Sequence, residues 1–209
     1  MKKNMDKLMK KLHFNKSLFV FLFVLVMIGL FSGALFSVVL SDTDKKMVSD
    51  YLNNFLVGLS NDDLNISNSF FNTSIFTLGF VLLIWIFGIS IVGVLLVLPF
   101  LFFKSFILGF SIGSIFINYK FKGIVLALIY VVPHHVINLF IYIIICAYSI
   151  MISYRMIICM KNKKSFDFKK YIGKYSFILF FSLAVLVLTT IYEVFLLPYV
   201  LKFVFNLIK

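Results

Sequence analysis

Long apolar runs constrain this chain more than any other feature of its sequence. From Leu18 to Leu40, 23 consecutive residues carry no charge, and about 20 apolar residues suffice to cross the hydrocarbon core of a bilayer. A soluble domain needs a polar surface, whereas 62% of these 209 residues are hydrophobic and 13% are charged. The sequence therefore predicts an all-α polytopic membrane protein, with residues 1–209 as a single membrane domain.

Five apolar runs are predicted to be transmembrane helices. The first follows a basic tail as a signal peptide would, but its length exceeds the usual apolar core of about 7–15 residues, which favours an uncleaved span. Pro99 is expected to close the second, and Lys104 after it is expected to lie on the cytoplasmic side. The third run is short, so it is either a tightly packed spanning helix or a re-entrant segment. The predicted spans are 18–40, 75–98, 105–119, 123–152 and 175–201.

Two basic segments set the predicted orientation. Residues 1–17 contain six lysines and one aspartate, and residues 153–174 contain seven basic residues and one aspartate. Because Lys and Arg accumulate in cytoplasmic segments, both are placed inside, and the net charge of +12 requires no nucleic-acid partner. Residues 1–17 form either an amphipathic helix on the membrane surface or a disordered tail.

Five crossings place the N-terminus inside and the C-terminus outside the cell. An alternative keeps 105–119 on the inner side and folds 123–152 into a hairpin at Pro133. That alternative also leaves the C-terminus outside, but each arm of its hairpin is short for a span. Two full crossings are therefore preferred.

Residues 41–74 are the only sizeable polar segment, and they are predicted to form an external loop. Five aspartates oppose two lysines there, and apolar residues recur at helical spacing, which predicts an amphipathic helix. Asp42 or Thr43 could cap this helix, and Asn61 to Thr73 reads as a turn region. The candidate partner-binding residues on its apolar face are Tyr51, Leu52 and Phe55.

Small residues recur every four positions in the third apolar run. Ser105, Gly109 and Gly113 would form one stripe along a helix. Such stripes let the backbones of membrane helices approach closely, so these three residues are predicted to mediate helix packing.

Polar residues inside the apolar runs are candidates for function because they are costly in hydrocarbon. Pro133, His134, His135 and Asn138 are the most concentrated group, and Glu193 is the only glutamate in the chain. The group could be a helix break satisfied by neighbouring side chains, a partner contact, or a metal or catalytic site. Glu193 could bridge to a histidine, lie at the interface or carry protons.

Enzyme signatures are weak in the sequence. Gly109-Phe110-Ser111-Ile112-Gly113 fits the pattern G-x-S-x-G, but it lies within an apolar run and not at the strand-to-helix turn that a nucleophilic serine of this type requires. The chain contains no H-E-x-x-H or P-loop motif, and Cys146 and Cys159 form no metal or redox motif. These observations predict a protein without catalytic residues, metal or cofactor.

The chain resembles the SpoIIM family, the stage II sporulation protein M of endospore-forming bacteria. The resemblance covers nearly the whole chain and rests on its length, its spans, its basic N-terminus and its amphipathic loop. The motifs that carry it are Leu108-Gly109-Phe110-Ser111-Ile112-Gly113, Pro133-His134, and Glu193 followed by Pro198. His135 stands where the family commonly has glycine, and Asn138 where an acid is expected. These departures argue against a charged catalytic role.

The resemblance implies a role in engulfment of the forespore by the mother cell. It implies a non-catalytic scaffold in the cytoplasmic membrane, at the septum, that recruits the peptidoglycan hydrolases SpoIID and SpoIIP. Membrane lipids are further expected partners, and a homo-oligomer is also possible. The alternative is a transporter or permease subunit with a polar site around Pro133-His134-His135 and Glu193, because broken spans with buried polar residues often mark substrate sites.

Overall fold

The structure, a computed structural model, describes residues 16–60, 66–90, 93–130, 132–161 and 168–200. The described residues form six helices and no strand, which confirms the all-α prediction. The helices are α1 (Lys16–Val39), α2 (Asp42–Ser60), α3 (Ile66–Ile89), α4 (Gly93–Tyr130), α5 (Val132–Lys161) and α6 (Phe168–Ile191). A π-helical turn, Tyr192–Leu196, continues α6.

Within the described residues, five helices are long and apolar enough to cross a membrane, as predicted. The basic tail lies almost entirely outside the described residues. So do residues 162–167, in the middle of the second basic segment. The candidate spans are Lys16–Val39, Phe70–Ile89, Leu95–Lys120, Val132–Lys161 and Tyr171–Val200.

Side-chain contacts give the direction of each span. Along α1 and α4, Gly29 lies against Ser105, and Gly113 against Ala34, so these two helices run parallel. Helices α3 and α5 are also parallel, because the ring centroids of Phe80 and Tyr142 are 4.9 Å apart near one end, and Gly88 contacts Ser149 near the other.

The two pairs of helices point in opposite directions, and α6 runs antiparallel to α5. Asn138 contacts Thr189 near one end of this last pair, and Arg155 contacts Tyr171 near the other. Lys16 and Lys161 therefore lie at one end of the bundle, which we call the basic end. Val39, Lys120 and α2 lie at the opposite end, which we call the α2 end.

The predicted boundary between the second and third spans is wrong. The chain turns at Ser90, where Ser90 N–H donates to the Phe87 carbonyl at 2.9 Å and Gly93 N–H donates to the Ser90 carbonyl at 3.1 Å. The buried Ser153 hydroxyl lies 2.9 Å from that same Ser90 carbonyl. The backbone groups of this tight turn bond to each other and to a serine of another helix, so the turn needs no polar loop. The sequence around it is therefore apolar and does not indicate a turn.

The third span is consequently full length rather than short or re-entrant. It runs from Leu95 to Lys120, and its 26 residues reach about 39 Å at 1.5 Å per residue. Pro99 lies inside α4 instead of closing the previous helix. Lys104, expected at the cytoplasmic side, lies in the middle of this span.

Lys120 marks a sharp change of direction within α4. Its φ of 49° and ψ of −128° are not helical, and Gly123 packs back against the Ile115 carbonyl. A side chain at Gly123 would overlap that carbonyl, so the reversal depends on glycine at this position. The predicted fourth span, 123–152, therefore begins too early.

The observed fourth span is Val132–Lys161. Pro133 lies in its first turn, where a missing N–H costs little, instead of breaking a helix at one third of its length. Helix α5 is the central helix, since 56% of the residues in an apolar 18-residue stretch of its span are buried, against 17% to 33% in the corresponding stretches of the other four.

Close backbone contact joins α1 to α4. A Cβ on Gly109 would overlap the Leu30 carbonyl, and a Cβ on Gly33 would overlap the Phe106 carbonyl. Ser105 and Gly113 lie in the same contact, so the structure places all three residues of the predicted packing stripe against α1.

Helix α2 begins at Asp42, and its N-cap is Ser41 rather than Asp42 or Thr43. The Ser41 hydroxyl accepts from Asp44 N–H at 3.2 Å and lies 2.6 Å from the Asp44 carboxylate. The Tyr119 hydroxyl donates to Asn53 Oδ1 at 2.7 Å and so joins α2 to α4. The predicted turn region also ends early, because α3 begins at Ile66.

Candidate functional site

Five polar side chains meet inside the bundle, at a depth that the spans place within the bilayer. We call them the polar cluster. Helix α5 supplies three of them, α4 supplies one and the π-helical turn after α6 supplies one. Its members are Lys104, His134, His135, Asn138 and Glu193.

His134 faces the π-helical turn. Its Nε2 lies 3.8 Å from Glu193 Oε2, and its ring centroid lies 6.3 Å from that of Tyr192. The His134 side chain is 1% exposed and that of Glu193 is 20% exposed. The contact therefore joins two spans through polar groups that lipid alone would solvate poorly.

Pro198 accounts for the local shape around Glu193. Proline lacks the N–H that would bond to Val194, and its ring crowds that carbonyl in a regular α-helix. Here the Leu197 N–H instead donates to the Tyr192 carbonyl, five residues back, which is the π-helical pattern. Single π turns are frequent at functional sites, and this one carries the only glutamate of the chain.

Asn138 makes a second polar link between the same spans. Its Oδ1 lies 2.6 Å from the Thr189 hydroxyl, and both residues are buried. The Leu186 carbonyl lies 2.9 Å from the same hydroxyl, so Thr189 meets two acceptors. A buried hydrogen bond of this kind avoids the cost of an unpaired amide in a membrane.

Lys104 brings a positive charge toward the cluster from α4. Its Nζ lies 5.4 Å from the ring centroid of Phe80 and 5.9 Å from that of Tyr142, as in cation–π contacts. It also interacts electrostatically with Glu193 and His135. Among the described residues, however, no carboxylate oxygen lies within 4.0 Å of this ammonium group.

A cavity of about 90 Å³ adjoins Lys104, between α3, α4 and α5. His135 points into it, whereas the adjacent His134 points toward Glu193, although the two ring centroids are only 4.1 Å apart. The polar residues that line the cavity are Thr77, Lys104, Ser111, His135, Asn138 and Tyr142.

The structure thus brings most of the predicted polar residues together. Pro133 starts α5 beside them and is exposed. Lys104 and Thr189 were not predicted as members of this site. The sequence signal for Lys104 is a lysine with apolar residues on both sides. That pattern fits a lysine inside a span, but it also fits the end of a span, which is the interpretation made from the sequence.

The predicted partner-binding face of α2 lies apart from the polar cluster. Tyr51 is 73% exposed and Met47, one turn earlier, is 64% exposed. Leu52 is partly buried. The Phe55 side chain lies outside the described residues.

In the described part of the chain, no three His, Cys, Asp or Glu side chains group closely enough to hold a metal ion. Cys146 is fully buried on α5 and packs as a small apolar residue. The cluster can link helices, compensate charge and hold a small polar ligand.

Comparison with known proteins gives one family. Residues 18–198 match the family model described as stage II sporulation protein M, SpoIIM. Searches of curated proteins and of solved structures gave no match. The matched region begins within α1, ends after the π-helical turn, and includes the polar cluster and α2. Because it spans most of the chain, this multi-pass membrane protein belongs to the SpoIIM family of sporulation proteins.

Proposed function

We propose that the protein is a non-catalytic membrane scaffold for engulfment during sporulation. In this role it recruits peptidoglycan hydrolases of the SpoIID and SpoIIP type and localises them at the septal membrane. The family match carries this proposal, because SpoIIM is not a known enzyme family. The G-x-S-x-G pattern at 109–113 lies inside helix α4, where the Ser111 hydroxyl donates to the Ile107 carbonyl, so it does not form the strand-to-helix turn of a nucleophilic serine.

The exposed face of α2 is the surface that supports recruitment. Met47 and Tyr51 are one helical turn apart and are both largely exposed. The Asn53–Tyr119 hydrogen bond holds α2 against the end of a span. If the basic end is cytoplasmic, as the positive-inside rule predicts, this face lies on the side of the cell wall.

The interior of the bundle supports a scaffold over a transporter. Below Lys104 on the same face of α4, Leu101 and Val97 are fully buried. Phe100 packs there against Phe80 and Phe87, with ring centroids 6.3 Å and 5.4 Å away. The polar cavity is therefore closed by apolar side chains toward the basic end in this conformation, and an alternating-access transporter would need a second conformation that opens it there.

The experiment is co-purification of the two hydrolases with tagged protein from membranes of cells that express all three. We expect the double variant Met47→Asp, Tyr51→Asp to recover at least about tenfold less hydrolase, because two charges disrupt an apolar contact face. Asn54→Asp is the matched control, since it adds a charge at an exposed position of the same helix.

The control should recover wild-type amounts of hydrolase. Undiminished recovery with the double variant, at equal membrane levels, would exclude this face as the recruitment surface. Alanine at His134, His135, Asn138 and Glu193 tests the transporter alternative. Intact engulfment in cells carrying that quadruple variant would leave the alternative without support.

A further inference from the structure

We propose that the cavity between α3, α4 and α5 binds a small monovalent anion, with chloride as the representative ligand and Lys104 as its counter-charge. This inference is independent of hydrolase recruitment. It rests on the charge, the size and the position of the cavity.

None of the described side chains that line the cavity is acidic. Three of them are apolar, and the others carry a positive charge or a neutral polar group. Lys104 contributes an ammonium, His135 an imidazole and Asn138 an amide, while Thr77, Ser111 and Tyr142 contribute hydroxyls. Glu193 does not line it and lies against His134 instead. Lys104 is partly buried, and a partly buried cation with hydrogen-bond donors nearby attracts an anion, because the surrounding medium has a lower dielectric constant than water.

Lys104 is only partly compensated by the protein. Its ammonium faces two aromatic rings, and the electrostatic contribution of Glu193 acts from beyond 4.0 Å. A charged side chain at this depth normally pairs closely with an opposite charge. A bound anion would complete the compensation and would link α4 to α5.

The volume of the cavity suits a small ion. About 90 Å³ is the share of roughly three waters in the liquid. That space accepts a halide ion together with a water molecule. It is too small for a drug-sized or nucleotide ligand, whose pockets measure about 300–1,000 Å³.

The cavity ends at buried apolar side chains toward the basic end, so it is a one-ended site instead of a pore, although Ile107 at its margin is 60% exposed. Ser111 and Lys104 are seven residues apart on α4, or about 10 Å along the helix axis. Ser111 lies toward the α2 end, and the fully buried Leu101 closes the site beyond Lys104. An anion would therefore enter from the α2 end and return the same way.

The test is the ³⁵Cl NMR line width of sodium chloride solutions with full-length protein in detergent. Wild-type protein should broaden the chloride resonance beyond the detergent blank. Lys104→Met should weaken chloride binding by at least about tenfold, since it removes the charge that faces the ion. Lys174→Met is the matched control, because Lys174 is an exposed lysine on α6.

Two more variants distinguish an anion-binding role of Lys104 from a purely structural role. Glu193→Gln should strengthen chloride binding, because it removes a competing negative charge near Lys104. Ser111→Leu should abolish binding while retaining Lys104, because the larger side chain fills the cavity. Size-exclusion elution at the wild-type volume establishes that each variant is folded.

Equal broadening by wild type and folded Lys104→Met would overturn the proposal. If Lys104→Met does not fold, Ser111→Leu decides, and chloride broadening retained in Ser111→Leu would overturn it. If the protein carried chloride into vesicles and Ser111→Leu abolished that flux, the inference of a one-ended site would be overturned. Loss of hydrolase recruitment in the α2 variants has no bearing on these outcomes.

Discussion

At the scale of the residue, Lys104 shows how a membrane bundle accommodates a charge. The faces of Phe80 and Tyr142 come from α3 and α5, and Glu193 comes from the turn after α6. These groups are far from Lys104 in sequence and meet it only when the helices assemble. The sequence therefore predicted Pro133, His134, His135, Asn138 and Glu193 as polar candidates but could not place Lys104 among them.

Glycine at 109 gives a prediction about packing. Gly109→Ala should lower the free energy of unfolding by about 1–3 kcal/mol, because the new Cβ would overlap the Leu30 carbonyl and force α1 away from α4. The measurement is the unfolding of the purified protein in increasing concentrations of a denaturing detergent, monitored by circular dichroism.

The matched control for this prediction is Gly79→Ala. Among the described residues, no atom beyond the neighbouring helix backbone lies within 4 Å of a Cβ placed at Gly79, and alanine favours a helix over glycine by up to about 1 kcal/mol. Gly79→Ala should therefore be neutral or slightly stabilising. Equal destabilisation by the two substitutions would contradict the close α1–α4 contact.

At the scale of the element, apolar periodicity and charge placement were sufficient to predict five spans and an amphipathic helix. They were insufficient to locate the turn at Ser90. A sequence-based reading uses polar residues to find turns, whereas this turn is satisfied by its own backbone and by Ser153, 63 residues away in sequence. The boundary between the second and third spans was then predicted too late in the chain, because Pro99 and Lys104 both resemble residues at the end of a span.

The attachment of α2 gives a second prediction. Asn53→Ala should speed hydrogen exchange in α2 by a factor of about 2 to 10, because the bond to Tyr119 is exposed and such bonds contribute about 0.5–1.5 kcal/mol. Tyr119→Phe should have the same effect. Tyr154→Phe, at an exposed tyrosine of α5, should leave α2 unchanged, and faster exchange there would contradict the proposed attachment.

At the scale of the whole molecule, alternating spans place Lys120 and Lys161 at opposite ends of the bundle. Both side chains are exposed. In a Cys159→Ser background, where the remaining Cys146 is fully buried, Lys120→Cys should react with an impermeant maleimide on intact cells. Lys161→Cys should react only after the membrane is permeabilised.

This labelling pattern tests the orientation and the number of crossings together. The reversed pattern would place the basic end outside, against the positive-inside rule. Labelling of both positions from one side would mean that Lys120 and Lys161 are separated by an even number of crossings. The hairpin alternative at Pro133 predicts that second result.

The parallel contact between α1 and α4 has a consequence for biosynthesis. The glycines of α1 meet their partners on a helix that is synthesised only after α2 and α3. Until α4 enters the membrane, the small-residue face of α1 lacks the helix that it contacts in the folded protein. This close contact can therefore form only after the third span is inserted, so the first helix reaches its final place late.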